Sequence, residues 1–257
     1  MRIDMLGCNH MIKQYLKFLL ILVIILLQRD FGHGKDTGHN QHPNVLLIVT
    51  DNQSYYELSC NGHDIVQTPN IDEFANQGIV FNNFYASPFS SPSRAELLTG
   101  QYALRSGVHN TIGGVSIIPA DKSLLSDYLK EAGYKSGVFG KWHLGNEFPY
   151  NPLYRGFDKS FIHDGGGIGQ LPDYYGNTHI DAHYNDNGEI VPSKGFSNDV
   201  LFKEAKEFIE ENKDKPFFCF VSTPAVHAPW QAHPEKLKEL KNRGVEGNAK
   251  EMALYSM

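Results

Sequence analysis

Val45-Leu-Leu-Ile-Val49, followed at once by Thr50-Asp51-Asn52, is an unbroken β-branched and leucine run that stops at an acid and an amide. Such a run reads as a strand buried on both faces. Its polar stop matters because ligands of open α/β sheets bind outside the carboxyl ends of the strands. Two later segments repeat the arrangement. Tyr134-Lys-Ser-Gly-Val-Phe139 leads into Gly140-Lys141-Trp142-His143, and Pro216 introduces Phe217-Phe-Cys-Phe-Val221, which runs toward His227. Helical spacing lies between them: Ile71, Phe74 and Ala75 after Thr68-Pro69-Asn70; Leu124, Leu125, Tyr128 and Leu129, closed by Gly133; and Leu201, Phe202, Ala205, Phe208 and Ile209. Ile79-Val80-Phe81 is predicted as a further strand. Alternating buried strands and helices predict an α/β fold with a largely parallel sheet and helices on both faces. Asp51, Lys141 and His227 would then share one crevice.

Upstream of this pattern the chain is of another kind. Phe18-Leu-Leu-Ile-Leu-Val-Ile-Ile-Leu-Leu27 is uncharged and follows Lys13 and Lys17, the layout of a secretory signal peptide. It is shorter than the roughly 20 apolar residues of a membrane span. Because Gln28-Arg29-Asp30-Phe31-Gly32 offers no small-x-small cleavage site, residues 1–29 read either as a signal peptide or as an uncleaved anchor. Met11 opens a more typical signal than Met1, and a start there would leave out Cys8. Residues 30–43, rich in Gly, His, Asn and Asp without periodicity, read as a linker, with His33, His39 and His42 solvated. The predicted folded part is residues 44–257.

Composition restricts function less than it restricts partners. Of 257 residues, 41% are hydrophobic and 20% charged, ordinary globular values with a net charge of -6. Loss of residues 1–29 would remove four cations and one acid and bring the charge to about -9, which argues against nucleic acid as a partner. Beyond the signal only Cys60 and Cys219 remain, so no disulfide scaffold is implied; Cys219, in an apolar run, reads as a buried thiol, and one disulfide between the two stays open.

Residues 156–191 are rich in Gly, Tyr, His and Asp and show little helical pattern. Gly165-Gly-Gly-Ile-Gly169 lacks the Lys-Ser/Thr of a phosphate loop and reads as part of a flexible active-site loop. Asp186-Asn187-Gly188 reads as a hairpin turn.

By local physics alone, Ser91-Pro92-Ser93-Arg94-Ala95-Glu96 is a helix start, with Ser91 as N-cap and Pro92 in the first turn. The longer string Ser90-Ser-Pro-Ser-Arg-Ala-Glu-Leu-Leu-Thr-Gly100 resembles the motif of the sulfatase family, Cys or Ser, any residue, Pro, any residue, Arg, continuing to Leu-Thr-Gly. Gly140-Lys-Trp-His-Leu-Gly145 resembles a second segment of that family at every position, and Thr68-Pro-Asn-Ile-Asp72 fits it as well. The resemblance implies an alkaline-phosphatase-like fold and a sulfuric ester hydrolase acting on a sulfated small molecule or glycan, with a carbohydrate sulfate preferred. It also implies oxidation of Ser90 to formylglycine, whose hydrate is the nucleophile. A helix N-terminus and Arg94 suit the negative oxygen that forms there.

Asp51 and Asn52 resemble the family's acidic pair for a divalent cation, here Ca2+, with position 90 as a further ligand; Asn replaces the more frequent Asp, and its amide oxygen is still a hard ligand. Lys141 and His227 would hold the sulfate, with His227 protonating the leaving oxygen, and His143 would serve as base. Serine at position 90 resembles the bacterial branch matured by a radical-dependent enzyme in the cytoplasm. Maturation would then precede export to the periplasm or beyond, with membrane contact only through an uncleaved N-terminal segment. Further metal ligands and a second sulfate-binding lysine, which the family carries in its second half, have no counterpart here, so the chain is expected to be a truncated sulfatase with an incomplete metal site. Two alternatives remain: a phosphodiester or phosphonate monoester hydrolase of the same superfamily, and an inactive anion-binding chain.

Overall fold

The computed structural model describes residues 42–256; the signal or anchor segment and residues 30–41 of the linker lie outside them. Among the described residues no helix is long and apolar enough to cross a membrane. Six strands form one sheet: β1 (Val45–Val49), β2 (Lys135–Lys141), β3 (Lys159–His163), β4 (His183–Asp186), β5 (Glu189–Pro192) and β6 (Phe217–Ser222), in the order β1-β6-β2-β3-β4-β5. β1, β6, β2 and β3 run parallel, and the β4–β5 hairpin closes the far side antiparallel.

Strand periodicity sorts the core into two layers. In β6, Phe218 and Phe220 join Val138, Leu124 and Trp142 on one face, under helices α2 (Ser90–Thr99) and α4 (Leu125–Glu131). Phe217, Cys219 and Val221 face the other way, with Phe139 and Phe161, against Val200, Leu201, Ala205 and Phe208 of helix α5 (Ser197–Asn212). Helices on both faces of a mainly parallel sheet match the predicted α/β class. β2 and β6 lie so close at Gly140 that a Cβ there would run into the Ser222 carbonyl, and its φ of +108° is one that side chains avoid.

Four readings of the sequence change. β1 is not buried on both faces: it is an edge strand whose Leu46 and Ile48 are about half exposed. Ile79-Val-Phe81, after helix α1 (Pro69–Gln77), forms no strand, because no neighbouring edge pairs with it, and all three side chains are exposed. The polar stretch 156–191 is not one flexible loop, since β3, β4 and β5 lie within it or reach its end; its Asn187-Gly188 turn has positive φ at both positions, as a tight hairpin requires. Cys60 is exposed and Cys219 buried, both as free thiols, so the two do not form a disulfide; burial pushes the Cys219 thiol up to about 12. At the last residue of the predicted linker, the Pro43 carbonyl accepts a hydrogen bond from Tyr134 Oη at 2.8 Å.

Candidate active site

Three strand ends and one helix start bring the site together. Ser90 is the first residue of α2; Phe89, not Ser91, takes the cap position, and the Ser91 hydroxyl is buried without a partner. Lys141 closes β2, Asp51 follows β1, and Ser222 closes β6. Beyond β6 the backbone stays tied to β1: Asp51 N–H donates to the Ala225 carbonyl at 3.2 Å, and Val226 N–H donates to the Asp51 carbonyl at 2.7 Å. The turn carrying His227 is thereby fixed to the strand end carrying Asp51.

The charged groups form one buried cluster. Lys141, fully buried, donates from Nζ to Asp51 Oδ2 and to Ser90 Oγ, the latter at 3.1 Å. Arg94, also buried, donates from Nη1 to the Lys141 carbonyl at 2.9 Å and to Ser222 Oγ, and its Nη2 lies 3.8 Å from Asp51 Oδ2. One carboxylate thus balances two cations. Burial and the neighbouring Arg94 push Lys141 down to about 8, with Asp51 opposing the shift.

His143 completes the set, with Nδ1 2.9 Å from Ser90 Oγ. Burial first, then Lys141 and Arg94, push it down to about 4, so the ring is neutral at pH 7. Lys141 can only donate, so Ser90 Oγ accepts from it and turns its own proton toward His143 Nδ1. His143 sits at φ +59° and Asn52 at φ +62°, left-handed positions at two ends of one site.

Of the predicted residues, Asp51, Ser90, Arg94, Lys141 and His143 are joined by hydrogen bonds or ion pairs. Asn52 lines the same cleft of about 890 Å³ as Asp51, Ser90 and Arg94. His227 has no hydrogen bond to the cluster; its Nδ1 donates to the Ala228 carbonyl at 2.7 Å. Consecutive glycines bring it near His143, however: Gly166 lies against the His143 ring and Gly167 against the His227 ring. Sequence reading missed Ser222, the hydroxyl that holds Arg94, and also His163. The latter is buried beside Lys141 in the sheet register with both ring nitrogens unpartnered, and burial with the charges of Lys141 and Arg94 holds it neutral.

The oxygens suit a hard divalent cation in kind. Both cationic contacts of Asp51 fall on Oδ2, which leaves Oδ1 for a ligand, and Asn52 adds an amide oxygen. In number they fall short: among the described residues no three His, Cys, Asp or Glu side chains are grouped to hold a metal, and calcium takes roughly six to eight oxygens.

A parallel sheet with helices on both faces, strand ends meeting at a helix start, and a hydroxyl held between a lysine and a histidine define a hydrolase framework of the alkaline-phosphatase-like class. The sulfatase family model matches residues 43–255, and the chain belongs to the sulfatase family. It is 34% identical to human N-acetylgalactosamine-6-sulfatase over 218 residues, covering 75% of this chain and 41% of that protein. It is 33% identical to N-acetylglucosamine-6-O-sulfatase of Bacteroides thetaiotaomicron, covering 87% and 38%. Among solved structures, one complexed with its substrate D-glucosamine-2-N,6-O-disulfate superposes with a TM-score of 0.67 at 31% identity, over 79% of this chain and 38% of that one. A phosphonate monoester hydrolase of Agrobacterium radiobacter reaches 0.52 at 26% identity, over 74% and 42%. The chain therefore spans less than half the length of the curated relatives named here.

Proposed function

We propose that the protein hydrolyses a sulfate ester of a carbohydrate, with position 90 matured to formylglycine and a divalent cation, Ca2+, held by Asp51, Asn52 and position 90. The observation that carries this reading is the hydroxyl of Ser90 at the start of α2, fixed between Lys141 Nζ and His143 Nδ1 inside a buried charge cluster. When present, the hydrated aldehyde supplies an acidic nucleophilic hydroxyl and the cation neutralises charge on the sulfate oxygens. The side chains supply the rest. Lys141 donates to oxygens of the bound sulfate, and the Arg94–Asp51 contact keeps its ammonium in place. His143, neutral at working pH, accepts the proton of the hydroxyl at position 90 through Nδ1. His227, with its Nδ1 proton committed to Ala228, turns Nε2 to the leaving oxygen and, in its imidazolium form, protonates it from Nε2.

Relatives named for 6-sulfated amino sugars support the carbohydrate class. The apolar run Phe18–Leu27 after Lys13 and Lys17 supports export to the periplasm or beyond, with maturation by a cytoplasmic enzyme first. Mass spectrometry of the peptide containing residue 90, from protein made in its native host, is expected to show the loss of two hydrogens relative to serine; unmodified Ser90 would sink the reading. The similarity to a phosphonate monoester hydrolase keeps one rival in play. Rates on matched aryl sulfate and aryl phosphodiester substrates separate the two, and a faster phosphodiester rate favours the rival.

A further inference from the structure

The run Gly165–Gly169 has neither the lysine nor the position of a phosphate loop, yet its glycines are demanded by space. At Gly166 a Cβ would stand 2.8 Å from His143 Cε1 and 2.9 Å from Nε2. At Gly167 it would stand 2.6 Å from His227 Nδ1 and 2.8 Å from the Ala228 carbonyl oxygen, the two ends of the hydrogen bond that orients that ring. Neither glycine has positive φ, so the backbone conformation alone would accept a side chain; the two rings would not.

The loop is itself braced. Gln170 N–H donates to the Gly167 carbonyl at 3.0 Å, Gly169 N–H to Asp173 Oδ2 at 2.7 Å, and Asn177 Nδ2 to the same carboxylate oxygen at 3.1 Å. Two residues on, His179 is buried and neutral, pushed down to about 4 by burial, and its ring also hydrogen-bonds the backbone of His227. Its Nδ1 lies 2.8 Å from Ser197 Oγ at the start of α5, its N–H donates to Gln231 Oε1 at 2.7 Å, and its carbonyl accepts from Ser197 N–H at 2.8 Å. His179 thus joins α5 to the turn that carries His227.

We propose that Gly167 and His179 are positioning residues for His227: Gly167 leaves the space in which its Nδ1–H meets the Ala228 carbonyl, and His179, anchored on Ser197, holds its backbone. With Nδ1–H held in this way, Nε2 is the nitrogen that faces the leaving oxygen; the imidazolium form of the ring gives its Nε2 proton and returns to the neutral Nδ1–H tautomer. This rests on the reading of His227 as the group that protonates the leaving alcohol. Delivery of that proton matters for a sugar alkoxide and little for a nitrophenolate, which leaves unaided.

The test uses the matured enzyme and two substrates, an aryl sulfate with an acidic phenol and a sugar sulfate. Gly167→Ala is expected to lower kcat on the sugar sulfate by about 100-fold, the scale of a misplaced group, with KM nearly unchanged and the aryl sulfate rate down by less than ~10-fold. His179→Leu is expected to show the same selective loss and His179→Gln, which keeps a donor, to recover part of it. His227→Ala serves as the reference, with a selective loss of roughly 100- to 10,000-fold. If His227→Ala is selective while Gly167→Ala and His179→Leu keep parental rates or lose both substrates equally, the positioning roles fall and the reading of His227 stands. If His227→Ala loses both substrates equally, that reading fails and the inference with it.

Discussion

Around β2 and β6 the sheet is covered on both faces, Lys141, Arg94 and Ser222 are buried, and the Lys141 ammonium, the Arg94 Nη1 and the Ser222 hydroxyl are tied into hydrogen bonds. Around β1 the opposite holds. Leu46 and Ile48 are about half exposed, Ile79, Phe81, Phe84 and Tyr85 stand 72–85% exposed, and Phe84 and Tyr85 form part of the cleft wall. Exposed apolar surface on that scale exceeds what scattered surface residues supply. Position 90 therefore takes its geometry from one flank. The β2–β6 side holds the lysine, arginine and histidine rigidly, whereas the β1 side contributes Asp51 and Asn52 from an edge. Preorganised charge and uncovered apolar surface meet at a single hydroxyl.

The sharpest way to break that contrast is Asp51→Ala. It leaves Lys141 and Arg94 buried with no counter-charge, and denaturant unfolding is expected to show a loss of about 3–5 kcal/mol. A loss under ~1 kcal/mol would mean that charge balance does not hold the covered flank together. A smaller effect is expected at Asp164, whose carboxyl burial pushes up to about 6 from 3.8. A raised acid favours the folded state while protonated, so its stabilisation is full below 3.8 and lost as pH rises through about 6. Asp164→Asn removes the titration, so its Tm should gain on the parent between about pH 4 and pH 8; equal shifts at both ends would contradict the assignment. The smallest effect belongs to the open flank: Phe81→Ser, at a side chain 72% exposed, is expected to change stability by no more than about 0.5 kcal/mol. A loss of several times that would show that this flank is packed after all.

The pattern Val45–Val49, the run Phe217–Val221 and the spacing of Leu201, Ala205 and Phe208 carry enough hydrophobic period to place two strands of the sheet and the helix layer on one of its faces. Ser90, Arg94, Lys141 and His143 were legible because two short strings carry them, and Asp51 because it ends a strand. Ile79-Val-Phe81 shows the limit of propensity: a β-branched and aromatic triplet becomes a strand only where a partner edge accepts it. β3 escaped notice, and β4 and β5 showed only through their hairpin turn at Asn187-Gly188, because short strands among glycines and tyrosines have little alternation to read. Gly166 and Gly167 were illegible for another reason, since what excludes a side chain there is a pair of histidine rings distant in sequence.

The backbone exchange between Asp51 and the Ala225–Val226 pair, 3.2 Å one way and 2.7 Å the other, splices two ends of the polypeptide into one mechanical piece. A displacement of the His227 turn must carry the Asp51 carboxylate with it, and through that carboxylate the Lys141 ammonium. The grip on a leaving group and the electrostatic seat of the nucleophile would then loosen together, as a single latch.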